Sequence, residues 1–96
     1  MFDLLITNNY DETYANATKR DRVLQKRVQK ALKLLRQDPF HPSLKSHKVA
    51  TRSFGERWSS WITGDLRIIW DFDKKQRLTI LLLAITKHSG THREYR

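Results

Sequence analysis

The stretch that most constrains the fold runs from Trp58 to Phe72, WSSWITGDLRIIWDF. Apolar and polar side chains alternate on either side of Gly64-Asp65, which is typical of two antiparallel strands joined by a tight turn. Glycine tolerates a positive φ angle, so we expect Gly64 to form the turn. The face that packs on the core is expected to carry Leu66, Ile68, Trp70 and Phe72.

The other face of this hairpin carries Trp61 and Arg67. A cation beside a large aromatic surface suits a phosphate and a nucleic acid base. Trp61 is equally well explained as the cover of a hydrophobic patch or as a contact for a protein partner. Arg67 is harder to explain by packing, because it stands between apolar residues on a strand.

Two helices are expected before the hairpin, over about Asn9–Thr18 and Asp21–Gln37. The second ends at Asp38-Pro39, because the residue before proline resists a helical ψ angle. It has a basic stripe, which is typical of a solvated face and could also touch an RNA backbone. The basic stripe is formed by Lys26, Lys30 and Lys33. The apolar stripe that should face the core is formed by Leu24, Val28, Ala31, Leu32 and Leu35.

The other segments are a strand over Phe2–Thr7, a loop over Pro39–Ser46, a short strand over His47–Thr51, a strand over Leu78–Ile85 covered on both sides, and a polar tail, Thr86–Arg96. The chain of 96 residues is expected to form one domain, 1–96. The order of elements predicts an α+β fold. It consists of a twisted antiparallel sheet of about four strands, with the two N-terminal helices packed on one face.

Charge is the strongest global signal. The chain has 19 Lys and Arg against 10 Asp and Glu, a net charge of +9, whereas residues 1–18 contain only acidic charges. A small domain this basic usually binds a polyanion, and nucleic acid is the first expectation. A basic surface that only maintains solubility is the less favoured alternative.

Several classes of function are disfavoured. The chain has no cysteine, glycine-rich nucleotide loop or nucleophile elbow, and no apolar run approaches the roughly 20 residues of a membrane span. His88 and His92 have the spacing of helical metal ligands, but Gly90 lies between them. We therefore expect a cytoplasmic protein without membrane association, resident metal or small-molecule cofactor.

An acid/base set remains, and it suits metal-independent RNA cleavage. Histidine can exchange a proton near neutral pH, and arginine can hold a phosphate by two contacts. A tail histidine is as often a surface residue, and aspartate is common in turns for backbone reasons. The candidate residues are Arg67, His88, Tyr95, His92, His47 and Asp65.

The sequence resembles the RelE/ParE superfamily of toxins from type II toxin–antitoxin systems. The resemblance covers nearly the whole chain and lies in LLRQDPFHPSLKSHKV, WSSWITGDLRIIWDF and ILLLAITKHSGTHREY. It implies a RelE-like fold. RelE-type members are ribosome-dependent mRNA endonucleases, whereas ParE-type members inhibit gyrase.

The resemblance also implies roles for individual residues. Arg67 matches the arginine that holds the scissile phosphate, and His88 matches the histidine after the last strand, with His92 as its alternative. Tyr95 matches the terminal tyrosine of the RelE branch. His47 and Asp65 match a histidine and an aspartate used in the YafQ branch. The candidate RNA-binding residues are Trp61, Lys45, Lys48, Lys87 and Arg93.

The candidate set is a hybrid of two branches. RelE has a lysine pair on the strand where this chain has Ser59 and Trp61, and YafQ has a histidine in place of Trp61. The expected function is a toxin that cleaves mRNA on the ribosome and is neutralised by a cognate antitoxin. The alternatives are a gyrase-inhibiting toxin and an inactive relative that binds antitoxin or nucleic acid. The ending TKHSGTHREY favours the nuclease.

Overall fold

The computed structural model describes residues 1–87, which form two helices and a five-stranded sheet. The order of strands across the sheet is β1-β5-β4-β3-β2, and the helices pack on one face, as expected. The elements in chain order are β1 (Asp3–Ile6), α1 (Asn8–Thr18), α2 (Arg22–Gln37), a short 3-10 helix (Pro42–Leu44), β2 (His47–Thr51), β3 (Gly55–Trp61), β4 (Leu66–Phe72) and β5 (Thr79–Lys87).

The sheet differs from the prediction in the number and direction of its strands. It has five strands rather than about four, and it is mixed rather than antiparallel, because β1 runs parallel to β5. The chain leaves β1 through α1 and α2, builds the antiparallel strands β2 to β5, and then places β5 beside β1. A parallel pairing needs such a long crossover, and local alternation in the sequence does not reveal which strand the crossover reaches.

Side-chain caps fix where the helices begin. The Thr7 hydroxyl accepts a hydrogen bond from the Tyr10 N–H, and the Asp21 carboxylate accepts from the N–H groups of Val23 and Leu24. These caps satisfy N–H groups that have no partner inside the helix. The helix α2 ends at Gln37, directly before Asp38-Pro39. The predicted bounds of both helices agree with the structure to within one residue.

The main core lies between the helices and the sheet. Val28 and Leu35 of α2 are fully buried there, whereas Leu24 and Leu32 pack against the core but stay half-buried. Trp70 is also fully buried, and its ring stacks on that of Trp58 with the centroids 5.8 Å apart. The predicted apolar stripe of α2 therefore faces the sheet, but its outer members lie at the margin.

A smaller apolar cluster covers part of the opposite face of the sheet. Ile69, Leu83 and Ala84 are buried there, with Val49, Phe54 and Leu81 packed against them. β5 is therefore buried on both sides, as its apolar sequence predicts. The expectation of a free face is correct only for the end of the sheet near the hairpin turn, where polar side chains remain.

A β-bulge in β5 sets which of its residues reach each face. Ile69 pairs with Ala84 and Trp70 pairs with Leu82, so Leu83 has no partner of its own in β4. The extra residue lets Leu82 and Ile85 both belong to the main core, although three positions separate them.

The turn of the central hairpin is not closed as predicted. Among residues 1–87, the only glycine with a positive φ angle is Gly55, at the start of β3, and not Gly64. The Thr63 hydroxyl instead accepts hydrogen bonds from the N–H groups of Asp65 and Leu66, at 3.2 and 3.1 Å. A side-chain acceptor therefore supplies the local closure that is expected of glycine.

Across residues 1–87, no helix has the length and apolar character needed to cross a membrane.

The buried stripe of α2 gives a stability prediction. Leu35→Ala should lower the free energy of unfolding by roughly 2–5 kcal/mol, because it leaves a cavity in the main core. Val23→Ala is the matched control: the same helix carries Val23 with 66% of its surface exposed, so its change should stay within about 0.5 kcal/mol. Urea unfolding followed by circular dichroism measures both variants. Equal destabilisation of the two variants would contradict the packing of α2 against the sheet.

Candidate nucleic-acid interface

Three side chains line up across the end of the sheet near the hairpin turn. Trp61 of β3 lies directly opposite Arg67 of β4, so the two share a face, as the alternation predicts. The Lys45 ammonium, from the loop before β2, lies 5.6 Å from the centre of the Trp61 ring. Because neighbouring strands are about 4.8 Å apart, these residues form a continuous surface of two cations and one indole. We call Lys45, Trp61 and Arg67 the basic row.

The Arg67 side chain is held by the turn that precedes its own strand. Its Nη1 donates to the Thr63 carbonyl at 2.6 Å and to the Leu66 carbonyl at 3.0 Å. Both bonds use the same nitrogen, and a guanidinium carries further N–H groups on Nε and Nη2. Arg67 is therefore oriented by the backbone and still has N–H groups of the kind that bind phosphate.

Thr86 lies directly opposite Arg67 on β5. Its hydroxyl is buried and has no hydrogen-bond partner within residues 1–87. A buried hydroxyl usually has a partner, so an unsatisfied one is uncommon. Nothing in the sequence marks this residue, because threonine is common in strands.

His47 stands next to the basic row at the start of β2. It pairs with Ser59 and is exposed. Its Nδ1 lies 2.9 Å from the Lys45 carbonyl, and because a carbonyl only accepts, Nδ1 must carry the proton. The neutral ring then has an unprotonated Nε2, which can accept a proton. This hydrogen bond therefore leaves Nε2 as the nitrogen of the neutral ring that can accept a proton.

A buried chain of hydrogen bonds joins the loop before β2 to the hairpin. The Trp70 indole N–H donates to the Ser60 hydroxyl at 2.7 Å, and the Ser60 and Ser46 hydroxyls are 2.6 Å apart. The Ser46 hydroxyl donates to the Pro39 carbonyl at 2.7 Å. The Ser60 hydroxyl must therefore donate to Ser46. Since Ser46 lies between Lys45 and His47 in the chain, this bonding positions both of them relative to the sheet.

The structure separates Lys48 and Lys87 from the basic row. Lys48 places its ammonium 5.3 Å from the Trp58 ring, which belongs to the core side of the sheet. Lys87 pairs with Leu66, whose side chain also belongs to the core side. Asp65 is exposed in the hairpin turn, two positions before Arg67. The predicted residues His88, His92, Arg93 and Tyr95 lie outside the described residues.

His41 caps the short 3-10 helix before Lys45. Its Nδ1 accepts a hydrogen bond from the Ser43 N–H at 3.1 Å and so caps the short 3-10 helix. The residue after that helix is its C-cap, Lys45, which adopts a left-handed backbone with a φ angle of 48°. Non-glycine residues rarely adopt this conformation. The loop therefore holds Lys45 in a specific conformation beside Trp61.

Sequence reasoning missed a groove that borders the basic row. Its volume is about 650 Å³, and it lies between α2 and the end of β3. Trp61 lines it together with Lys26, Arg27 and Lys30. The lysine stripe of α2 is visible in the sequence, but its position beside Trp61 depends on how the helix sits on the sheet.

Within residues 1–87, the two ionisable groups with clearly shifted pKa values, Tyr10 and Asp73, lie away from this interface. Burial, followed by the nearby Tyr14 and Asp11, raises the pKa of the Tyr10 phenol. Hydrogen bonds from the backbone N–H groups of Lys75 and Gln76 lower the pKa of the Asp73 carboxyl. Residues 1–87 contain no group of three or more histidine or carboxylate side chains placed to hold a metal ion. The described part of the interface offers cations, an indole and an imidazole.

Solved structures of bacterial toxins share this arrangement of helices and strands. The YoeB/ParE toxin from Agrobacterium tumefaciens superposes with a TM-score of 0.70 and 15% identity, covering 92% of this chain and 100% of its own. The chain has the fold of these toxins. YoeB in a YoeB–YefM complex from Staphylococcus aureus gives a TM-score of 0.67 at 14% identity, covering 94% and 99%. YafQ from Escherichia coli gives 0.64 at 13%, covering 92% and 94%.

The sequence itself matches no protein-family model and no curated protein. At such low identity the structural likeness establishes the fold, and the predicted RelE-like fold is thereby confirmed.

The buried hydrogen-bond chain predicts a specific coupling between two residues. Ser60→Ala leaves the Trp70 N–H unpaired in the core and should cost about 1–3 kcal/mol of unfolding free energy. Trp70→Phe removes that N–H, so adding Ser60→Ala to Trp70→Phe should cost less than Ser60→Ala does alone. Urea unfolding of the two single variants and the double variant measures this coupling. Strictly additive effects would show that the hydrogen bond does not contribute.

Proposed function

We propose that the chain is the toxin of a toxin–antitoxin system and cleaves mRNA on the ribosome without a metal ion. The observation that carries the proposal is the basic row, Lys45, Trp61 and Arg67, with His47 beside it. This surface combines phosphate-binding cations, a base-stacking ring and a proton acceptor. Cations and a proton acceptor suit phosphate cleavage, and an exposed indole suits a single-stranded RNA base.

In this proposal, Arg67 binds the scissile phosphate and Trp61 stacks on a neighbouring base. Arg67 is restrained by two backbone carbonyls, so it loses little side-chain freedom when a phosphate binds. Lys45 adds a second positive charge on the other side of the indole. As negative charge builds on the phosphorane, these fixed cations stabilise it.

The proposed reaction is attack of the ribose 2′-hydroxyl oxygen on the adjacent phosphorus. A base removes the 2′-hydroxyl proton, the new P–O bond forms, and the bond to the 5′ oxygen breaks as an acid protonates that oxygen. The products are a 2′,3′-cyclic phosphate and a 5′-hydroxyl. His47 is a candidate for the base because its Nε2 can accept a proton. His88 and Tyr95 are proposed as the acid/base pair that the family resemblance implies, with His92 and Asp65 in support.

We also propose a cognate antitoxin as the physiological partner. YoeB from Staphylococcus aureus, which has the same fold, is described in a heterotetrameric toxin–antitoxin complex with YefM. A chain with a net charge of +9 favours an acidic partner segment. An acidic segment would neutralise the same cations that the proposal assigns to RNA.

The mechanism predicts a large effect at Arg67. Arg67→Ala should lower mRNA cleavage by roughly 100-fold or more, because the phosphorane loses its charge partner. Arg67→Lys should restore little, since a point charge cannot replace the planar guanidinium. The measurement is primer extension on a reporter mRNA in a translating extract, where the ribosome is present. His88→Ala and His47→Ala, tested in parallel, show which imidazole the reaction needs.

The matched control is Arg77→Ala, which removes the same type of side chain from the exposed turn between β4 and β5. It should cleave like the wild type. Full cleavage by Arg67→Ala would refute the proposed phosphate site. Growth inhibition without any mRNA cleavage would instead favour the gyrase-inhibiting alternative.

A second prediction concerns the cell. Expression of the wild-type chain alone should stop growth and protein synthesis, and Arg67→Ala should remove the effect while the protein still accumulates. Radiolabelled amino acid incorporation after induction measures the arrest. Unchanged growth and translation at a protein level confirmed by immunoblot would contradict the toxin proposal.

A further inference from the structure

We propose that the groove between α2 and the end of β3 binds the nucleotides that flank the cleaved phosphate on the same single RNA strand. The inference rests on the proposed function and adds a second part to its RNA-binding site. It is carried by the composition of the groove, by the burial of its floor, and by its shared border with the basic row.

The groove has one strongly basic wall. Lys26, Arg27 and Lys30 line it, and all three are exposed. They lie on consecutive turns of α2, a helix that contains six lysines and arginines and no acidic residue. No intrahelical carboxylate neutralises these charges. Their mutual repulsion decreases when a polyanion binds.

The floor of the groove has little apolar surface left to bury. Leu44, Ile62 and Ala31 line it, but only 1%, 3% and 5% of their surfaces are exposed. An amphipathic peptide helix binds mainly by burying apolar area, at about 25 cal/mol per Å². Because these floor residues are already buried, the apolar surface still open in the lining, apart from the Trp61 ring, is confined to Val23, which is 66% exposed, and the half-buried Leu34, so that driving force is limited. Charge and aromatic stacking dominate instead, and single-stranded RNA uses both.

Trp61 makes the groove continuous with the basic row. It is one residue of the groove lining, it pairs with Arg67 across the hairpin, and Lys45 lies over its ring. A strand held by its phosphate at Arg67 therefore reaches Trp61 first and the cations of α2 next. Base stacking on the indole needs no particular sequence, so the groove should add affinity and length dependence more than base selectivity.

The experiment measures binding of 5′-fluorescein-labelled single-stranded RNAs of four and ten nucleotides by fluorescence anisotropy, over a range of salt concentrations. The test variant is Lys26→Ala/Lys30→Ala. The control variant is Lys33→Ala/Lys74→Ala, which removes the same net charge. Lys33 lies on α2 outside the groove, and Lys74 lies in the exposed turn between β4 and β5. Circular dichroism melts check that all variants fold.

The ten-nucleotide RNA should bind the test variant roughly tenfold more weakly than the wild type. The plot of log affinity against log salt concentration should become shallower by about 0.7 for each phosphate that the variant no longer neutralises. The control variant should bind the ten-nucleotide RNA like the wild type. The four-nucleotide RNA carries fewer phosphates for these cations to neutralise, so it should distinguish the two variants less.

Three outcomes would overturn the inference. Equal binding by the test and control variants, with binding still weakened by Arg67→Ala, removes the groove but leaves the proposed function intact. Wild-type protein that binds neither RNA overturns the inference, whereas the proposed function is decided separately by the cleavage assay in the translating extract. A test variant that keeps its RNA affinity but loses affinity for a labelled acidic amphipathic peptide assigns the groove to a protein partner.

Discussion

The interface depends on one buried polar group, the indole N–H of Trp70. A fully buried tryptophan must satisfy this donor inside the core, since an unpaired one would cost more than the bond itself contributes. Here the indole N–H donates to the Ser60 hydroxyl. The Ser60 hydroxyl donates to Ser46, and the Ser46 hydroxyl donates to the Pro39 carbonyl. The packing of Trp70 in the core therefore also fixes the position of the loop before β2. Lys45 and His47, which flank Ser46, are placed by a bond that neither of them makes.

The surroundings of the cations differ along this face of the sheet. Arg57 forms an ion pair with Asp71 at 2.8 Å, on the same face as the basic row but farther along the strands. Arg67 is instead held by backbone carbonyls, and Lys45 lies over an indole. The basic row and the α2 cations that line the groove therefore form a region of concentrated positive charge. This charge destabilises the free chain slightly and favours the binding of a polyanion.

The parts of the structure that the sequence predicts correctly are those set by the local alternation of apolar residues and by the signals that start and stop a helix. The alternation in the hairpin places Trp61 and Arg67 on one face, and the cap at Asp21 and the stop at Asp38-Pro39 fix α2. The parallel pairing of β1 was not predictable, because Leu4 and Ile80 lie near opposite ends of the chain. Nor was the contact of Lys45 with Trp61, which requires the 3-10 helix to end in a left-handed residue. The groove depends on the rotation of α2 against the sheet, which the apolar stripe defines only approximately.

The bulge at Leu83 decides which face of the sheet each of the last residues of β5 occupies. In a plain strand of the same length, alternate residues share a face, so Ile85 would turn outward and Lys87 would join the face of the basic row. The unpaired residue shifts this alternation, and Thr86 comes to lie with Arg67 while Ile85 enters the main core. Deleting the unpaired residue would straighten the strand and leave both of these placements unchanged. Relatives of this chain should therefore gain or lose the bulge only together with one residue of β5.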